Sequence, residues 1–349
     1  NVAVSGAPGN DATPISATAS VVHPMAGAVY VFSQGNNRAP VMRSTPGTSA
    51  FYVNEDTAPG WITALKVKTL VQRADVADAD GDVCGIAVIA ANNTGGQWQY
   101  STDGSLWQDL QLNTPDTARV LGPDAQIRFV PAANFNGLIS PGITFRAWDQ
   151  TVWGSGGLAY ASEWGGYSPY SEETEVLRCE VAPVNDRPVL STAADPTLPH
   201  IYGNILSQYN RGQTVSNLLA GLVTDPDTNI CGIAVTSAVN ANGQWEFSLD
   251  GAATWRAFGS PTPGGARLLG PDDRVRFMPA RGYSGTVANG LGFVAWDQTS
   301  GARGNVTSTT TGTAFSTQSN AFSITVTPIV NHAPVLDIFG EPAFPPIAK

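Results

Sequence analysis

The strings CGIAV at 84–88, GGQWQYSTDG at 95–104, LGPDAQIRFVP at 121–131 and FRAWDQT at 145–151 return, in the same order, further along the chain. The second set is CGIAV at 231–235, NGQWEFSLDG at 242–251, LGPDDRVRFMP at 269–279 and FVAWDQT at 293–299. A self-similar period of about 147 residues marks an array of like units, and two units this similar must share a fold.

Within each copy the pattern is that of short strands. Trp98 and Tyr100 alternate with Gln97 and Gln99, and Asp103-Gly104 then supplies the residues of a tight hairpin before Trp107. Trp245, Phe247, Asp250-Gly251 and Trp255 repeat the plan with one extra residue after the turn, where a hairpin loop tolerates insertion. The pairs Ile127/Phe129, Val275/Phe277, Phe145/Ala147 and Phe293/Ala295 alternate as well. No window holds apolar residues at helical spacing over three turns, so helices should be few and short. The recurring tryptophans, Trp98, Trp107, Trp148, Trp245, Trp255 and Trp296, are expected in the cores.

A third string marks the boundaries: NRAPVM at 37–42, NDRPVL at 185–190 and NHAPVL at 331–336. Each follows an apolar run (Val29 to Phe32, Val176 to Val181, Phe322 to Val326), and its proline, lacking an amide hydrogen, stops the ladder. The expected organisation is an N-terminal extension at 1–39 ending in a lone strand, β-sandwich repeats at 40–187 and 188–333, and a C-terminal strand at 334–349. The fold class is all-β, two tandem immunoglobulin-like sandwiches with extra strands at both termini. Excess length over a simple sandwich falls at 152–175, rich in Gly and aromatics, and at 300–319, rich in Ser and Thr.

Charged residues make up 13% of the 349, and the net charge is −10. That balance excludes nucleic-acid phosphates and anionic lipid as partners, since no Lys/Arg cluster offsets the repulsion. No stretch of about 20 apolar residues exists to span a membrane, and Asn1 opens no targeting pattern.

Taken together, CGIAV, NGQWEFSLDG, LLGPDDRVRFMP, FVAWDQTSG and VNHAPVL resemble the cadherin-like, immunoglobulin-like repeats of very long extracellular adhesins and surface-fibre proteins, over about 40–340. The resemblance implies an extracellular location, end-to-end stacking and calcium as a cofactor. Related cadherins bind calcium at linkers through Asn-Asp. Asn185-Asp186 matches that pattern, making Asp186 a candidate ligand, whereas Arg38 and His332 stand in the corresponding places.

Asp78, Asp80 and Asp82 in DADGD place three carboxylates at alternate positions beside a turn-forming Gly, the donors a hard cation needs. Asp225, Asp227 and Asn229 in DPDTN keep the oxygens and lose one charge. The same residues also suit a polar turn with side-chain to backbone bonds. A Cys84–Cys179 disulfide would join two strands of one sandwich and leave Cys231 over; three buried thiols are the alternative. Asn92 (Asn-Asn-Thr) and Asn305 (Asn-Val-Thr) fit the N-glycosylation acceptor, and Thr307, Ser308, Thr309, Thr310 and Thr311 offer hydroxyls for O-linked sugars. Trp153, Tyr160, Trp164, Tyr167 and Tyr170 have no counterpart in the second copy; on a Gly-rich loop they form either an interface or a cover over their own sandwich.

Enzyme motifs are missing: His23, His200 and His332 sit near boundaries, and there is no GxSxG, GxGxxG or HExxH. The expected role is a structural subunit of a fibre or long adhesin, non-catalytic and glycosylated, with itself or neighbouring repeats as partner. Its end strands, Val29, Tyr30, Val31 and Phe32 at one end and Val335, Leu336 and Ile338 at the other, would seek a ladder in a neighbour. The alternative is a carbohydrate-binding adhesin module using the aromatic loop 152–170.

Overall fold

The computed structural model describes residues 20–25, 28–33, 37–44, 47, 49–112, 116–227 and 230–329. The chain divides into two compact units, Asn1–Val184 and Asn185–Lys349. Each is a two-sheet sandwich of the expected all-β kind, and among the described residues helix is limited to the short segments Val67–Arg73, Val215–Leu219 and the 3-10 turn Pro59–Trp61. Among the described residues no helix is long and apolar enough to cross a membrane.

In the first unit a six-stranded sheet runs in the order Leu158–Tyr160, Thr117–Leu121, Gly85–Ala91, Gly137–Trp148, Glu175–Ala182, Ser49–Asn54. Every pairing is antiparallel except the last, where Phe51 lies beside Cys179 in a parallel edge. The facing four-stranded sheet is Leu65–Lys66, Gln126–Pro131, Gly96–Ser101, Gln108–Asp109. The second unit repeats both sheets. Gly232–Ala238, Gly285–Trp296 and Phe315–Thr327 form the middle of one, and Arg274–Pro279 with Gly243–Ser248 the middle of the other.

Alternation along these strands sends one set of side chains between the sheets, where burial away from water supplies the main favourable term of folding. Trp98 packs edge-on against Phe129 and Phe51, and Trp245 sits against Phe277. Gly142 and Gly290 make room for these indoles: a Cβ added there would lie 2.9 Å from Trp98 Cζ2 or 2.7 Å from Trp245 Cζ2.

A second, smaller apolar cluster covers the outer face of each six-stranded sheet. In the first unit it gathers Ala87, Ala118, Val120, Trp148, Ala159 and Tyr170; in the second, Ala234, Ala266, Leu268, Val294, Trp296 and Phe315. Trp148 Nε1 donates to the Val152 carbonyl at 3.1 Å and Trp296 Nε1 to that of Ser300 at 2.7 Å. The residues after each AWDQT therefore fold back over the sheet. Trp107 and Trp255 depart from expectation. They are only half-buried, outside both cores, because each stacks on an arginine at 4.0 Å instead.

The N-terminal strand is not alone. Ala28–Ser33 pairs antiparallel with Ser20–Met25, Val31 opposite Val22 and Phe32 opposite Val21. Val29, Tyr30, Val31 and Phe32 therefore find a ladder within their own segment.

Candidate functional site: a linker strap held on each module

The recurring N-x-x-P string is where the copies agree atom by atom. Asn37 Nδ2 donates to Asp149 Oδ2 at 2.8 Å, and Asn185 Nδ2 donates to Asp297 Oδ2 at 2.9 Å. The next residue adds a backbone bond: the Arg38 amide donates to Asp80 Oδ2 at 2.5 Å, and the Asp186 amide to Asp227 Oδ2 at 2.6 Å. The strap thus lies on the aspartate of AWDQT and the middle aspartate of the preceding acidic loop. Beyond the proline, Val41–Met42 pairs with Val76–Ala77, and Val189–Leu190 with Val223–Thr224, which continues the strap into the sandwich.

AWDQT is built to receive it. Asp149 Oδ1 accepts from the amide and hydroxyl of Thr151 at 2.9 and 2.6 Å; Asp297 Oδ1 accepts from Thr299 at 2.8 and 2.6 Å. Gln150 and Gln298 take positive φ and donate to the Val83 and Ile230 carbonyls. Both aspartates are buried. Burial raises the Asp149 pKa, opposed by the bonds from Thr151 and Asn37.

The acidic loops form turns. Asp78 Oδ1 accepts the amides of Asp80 and Asp82 at 2.8 and 3.4 Å, and Asp225 Oδ1 accepts that of Asp227 at 2.9 Å. Carboxylate oxygens of Asp80, Asp227, Asp149 and Asp297 are engaged by the strap. Asp78 Oδ2 is buried without a hydrogen-bond partner. Among the described residues no three acidic, Cys or His side chains form a group able to hold an ion. Of the candidate ligands Asp78, Asp80, Asp82, Asp186, Asp225 and Asp227, backbone amides donate to the carboxylates of Asp78, Asp80, Asp225 and Asp227 in this arrangement. Asn229 lies outside the described residues.

The Cys84–Cys179 bridge is corrected: Cys84, Cys179 and Cys231 are all free and buried. Register gives the reason. Gly85, next to Cys84, pairs with Trp148, whereas Cys179 pairs with Ile139 at the other end of the same strand. At about 3.3 Å per residue the thiols are held roughly 25–30 Å apart, against the Cα separation of about 6 Å a disulfide needs. Burial pushes each thiol up to about 12, helped at Cys84 by Asp78, Asp149 and Asp82, and at Cys231 by Asp225 and Asp297.

The aromatic loop is largely cover. Tyr170 is buried in the outer cluster, Trp153 packs against it, and Tyr160 sits in an edge strand beside Thr117. Tyr170 therefore cannot serve as a binding face, because apolar burial has already taken its ring. Trp164 is exposed, with the Arg146 guanidinium 4.3 Å over its ring, and Tyr167 is exposed. Among the glycan acceptors Asn305 is exposed, whereas Asn92 is half-buried and its Oδ1 accepts the Thr94 amide at 3.0 Å. Ser308, Thr310 and Thr311 are exposed; Thr307 and Thr309 are half-buried, and Thr309 Oγ1 donates to the Pro263 carbonyl at 3.1 Å. Val335, Leu336 and Ile338 lie outside the described residues.

Sequence reasoning found the strap strings and AWDQT but did not join them; the shared signal was that both recur in each copy.

Solved structures similar to this chain include mouse cadherin-23 EC22-24, 14% identical over 83% of this chain and 67% of that one, with a TM-score of 0.41. The human desmocollin-1 ectodomain is 11% identical over 81% of this chain and 39% of that one, TM-score 0.32. CfaE, the adhesive subunit of the CFA/I fimbria of enterotoxigenic Escherichia coli, is 10% identical over 82% of this chain and 99% of that one, TM-score 0.29. No protein-family model matches the chain, and no curated protein does.

Proposed function

We propose that this chain is a load-bearing, non-catalytic segment of an extracellular fibre or long adhesin, in which sandwich modules follow one another end to end. The supporting observation is the strap: in both units the residues that enter the module are tied by the same side chain to the same aspartate. Such a bond stabilises each module and also fixes the point where the chain enters it, which suits a segment that carries tension along its length. Partners in this proposal are other copies of the chain or adjoining repeats. The proposed donors to a neighbour's sheet are Val29, Tyr30, Val31 and Phe32, through the strand edge that their pairing with Ser20–Met25 leaves open, and Val335, Leu336 and Ile338. Glycans at Asn92, Asn305 and the hydroxyls of Thr307 to Thr311 are part of the proposal, and low surface charge favours them.

Electron microscopy of the purified chain tests it. Filaments or extended rods are expected, and removal of residues 1–36 should disperse the filaments. Compact single particles at every concentration would overturn the fibre role; filaments that survive the deletion would overturn strand donation from the N-terminus.

A further inference from the structure

The two straps are held by different neighbours. Glu163 to Tyr170 form a closed loop, in which the Gly165 amide donates to the Tyr170 carbonyl at 2.8 Å, the Ser168 amide to that of Gly165 at 2.9 Å, and Ser168 Oγ to that of Glu163 at 2.9 Å. Two carbonyls of this loop hold the first strap: Gly166 accepts the Ala39 amide at 2.9 Å, and Tyr167 accepts Asn37 Nδ2 at 3.4 Å. In the second unit Asn185 Nδ2 donates to Thr313 Oγ1 at 3.1 Å and Arg187 Nη1 to the Phe315 carbonyl at 2.9 Å. The first unit's loop presents Trp164, 49% exposed with the Arg146 guanidinium 4.3 Å over its ring, and Tyr167, 64% exposed.

What precedes each strap differs as well. Val184 ends the first unit directly before Asn185, whereas Asn37 follows the ladder of Ser20–Met25 and Ala28–Ser33, which among the described residues pairs with neither sheet of the sandwich. A two-stranded ladder by itself is marginal in water and needs a surface to pack on. Both alternating sets of rungs are apolar in sequence, Val21 opposite Phe32 and His23 opposite Tyr30 in one, Val22 opposite Val31 and Pro24 opposite Val29 in the other. No Asp, Glu, Lys or Arg occurs from 20 to 33, and Glu163 is the only one from 152 to 170, so the two segments meet without burying opposed charges. Reach selects the surface. Four residues carry the chain from Ser33 to Asn37, a span of at most about 14 Å, and Asn37 already touches the loop. So short a tether gives an effective concentration of order millimolar, which a second copy at micromolar concentration does not match.

We propose that the loop bearing Trp164 and Tyr167 is the docking surface for this chain's own N-terminal ladder, Ser20–Met25 with Ala28–Ser33, which caps the first module. Docking uses a face of the ladder and leaves its open strand edge to a neighbour, so the proposal stands whether or not fibres form.

Hydrogen exchange of the intact chain at about 1 and about 50 µM, read by mass spectrometry on peptides from 20–33, tests it. Protection is expected at both concentrations. It should fall about tenfold in Trp164→Ser/Tyr167→Ser and persist in Trp164→Phe/Tyr167→Phe. Both rings are exposed, so an unchanged melting temperature checks that the serine pair is folded. Hydroxyl-radical footprinting gives the reverse readout and decides the matter if the serine pair is unstable: oxidation of Trp164 and Tyr167 should rise in Val31→Asp/Phe32→Asp. Unprotected wild-type peptides, protection indifferent to the serine pair, or oxidation indifferent to the aspartate pair overturns the proposal. Protection found only at the higher concentration assigns the surface to a second copy's ladder and overturns it too. Filaments with an unprotected ladder, or a protected ladder without filaments, separate this failure from that of the fibre role.

Discussion

The side-chain amide of Asn37 donates to the carboxylate of Asp149 across 112 residues of chain, and Asn185 reaches Asp297 across another 112. The bond ties the first residues of each module to the end of a central strand of 12 residues. The acceptor is a buried carboxyl group, and a hydrogen bond to a carboxylate is stronger than one between neutral groups.

Asp149→Ala should therefore destabilise the first unit by about 2–4 kcal/mol, and Asn37→Ala by about 1–2 kcal/mol. Urea unfolding of the whole chain should show the first unit's transition moving while the second unit's stays. Equal movement of both, or of neither, would show that the strap is ornamental.

A chelator should leave the melting temperature unchanged, because the carboxylates of Asp78, Asp80, Asp225 and Asp227 are engaged by amide hydrogens. Differential scanning calorimetry with and without EDTA checks this. A fall of several degrees would show that these loops rearrange around a cation.

Glu246 and Gln99 occupy the same place beside a buried arginine, Arg276 and Arg128 respectively. Glu246→Gln should thus cost less than about 1 kcal/mol, since the first unit already runs on the amide. Glu246→Ala should cost about 3 kcal/mol, because Arg276 is left buried without its acceptor. Denaturation midpoints of the two variants decide it; equal losses would contradict the comparison.

Native thiol reactivity should be low and nearly flat from pH 7 to 9, as Cys84, Cys179 and Cys231 are buried and pushed up to about 12. A thiol at the ordinary value of about 8.5 would instead react faster through that range as thiolate forms. Iodoacetamide labelling followed by mass spectrometry measures it. Three reactive thiols should appear only in denaturant, and a reducing agent should not change stability.

How much was legible follows from which interactions are local. Alternation in GGQWQYSTDG and LGPDAQIRFVP is a property of neighbouring residues, so strands and hairpins could be read directly, and the period carried that reading to the second copy. Trp107 and Trp255 were misplaced because alternation cannot tell a core ring from one stacked on Arg128 or Arg276. The disulfide failed for a related reason. Two cysteines on strands of one sheet may be neighbours or far apart, and only register, Cys179 opposite Ile139 and Gly85 opposite Trp148, separates the cases. The lone strand at Val29 to Phe32 turned on pairing with Ser20–Met25, again a matter of partner rather than pattern.

By itself, then, the sequence determined the all-β class and the duplication, since period-2 burial and a repeated string depend only on order along the chain. Tertiary structure alone decided that Asn37 belongs with Asp149, that the segments after AWDQT cover the outer sheet face, and that the loop bearing Trp164 and Tyr167 holds the first strap. Each of those rests on which distant residues a twisted, registered sheet brings within a few ångströms, and no local preference encodes that distance.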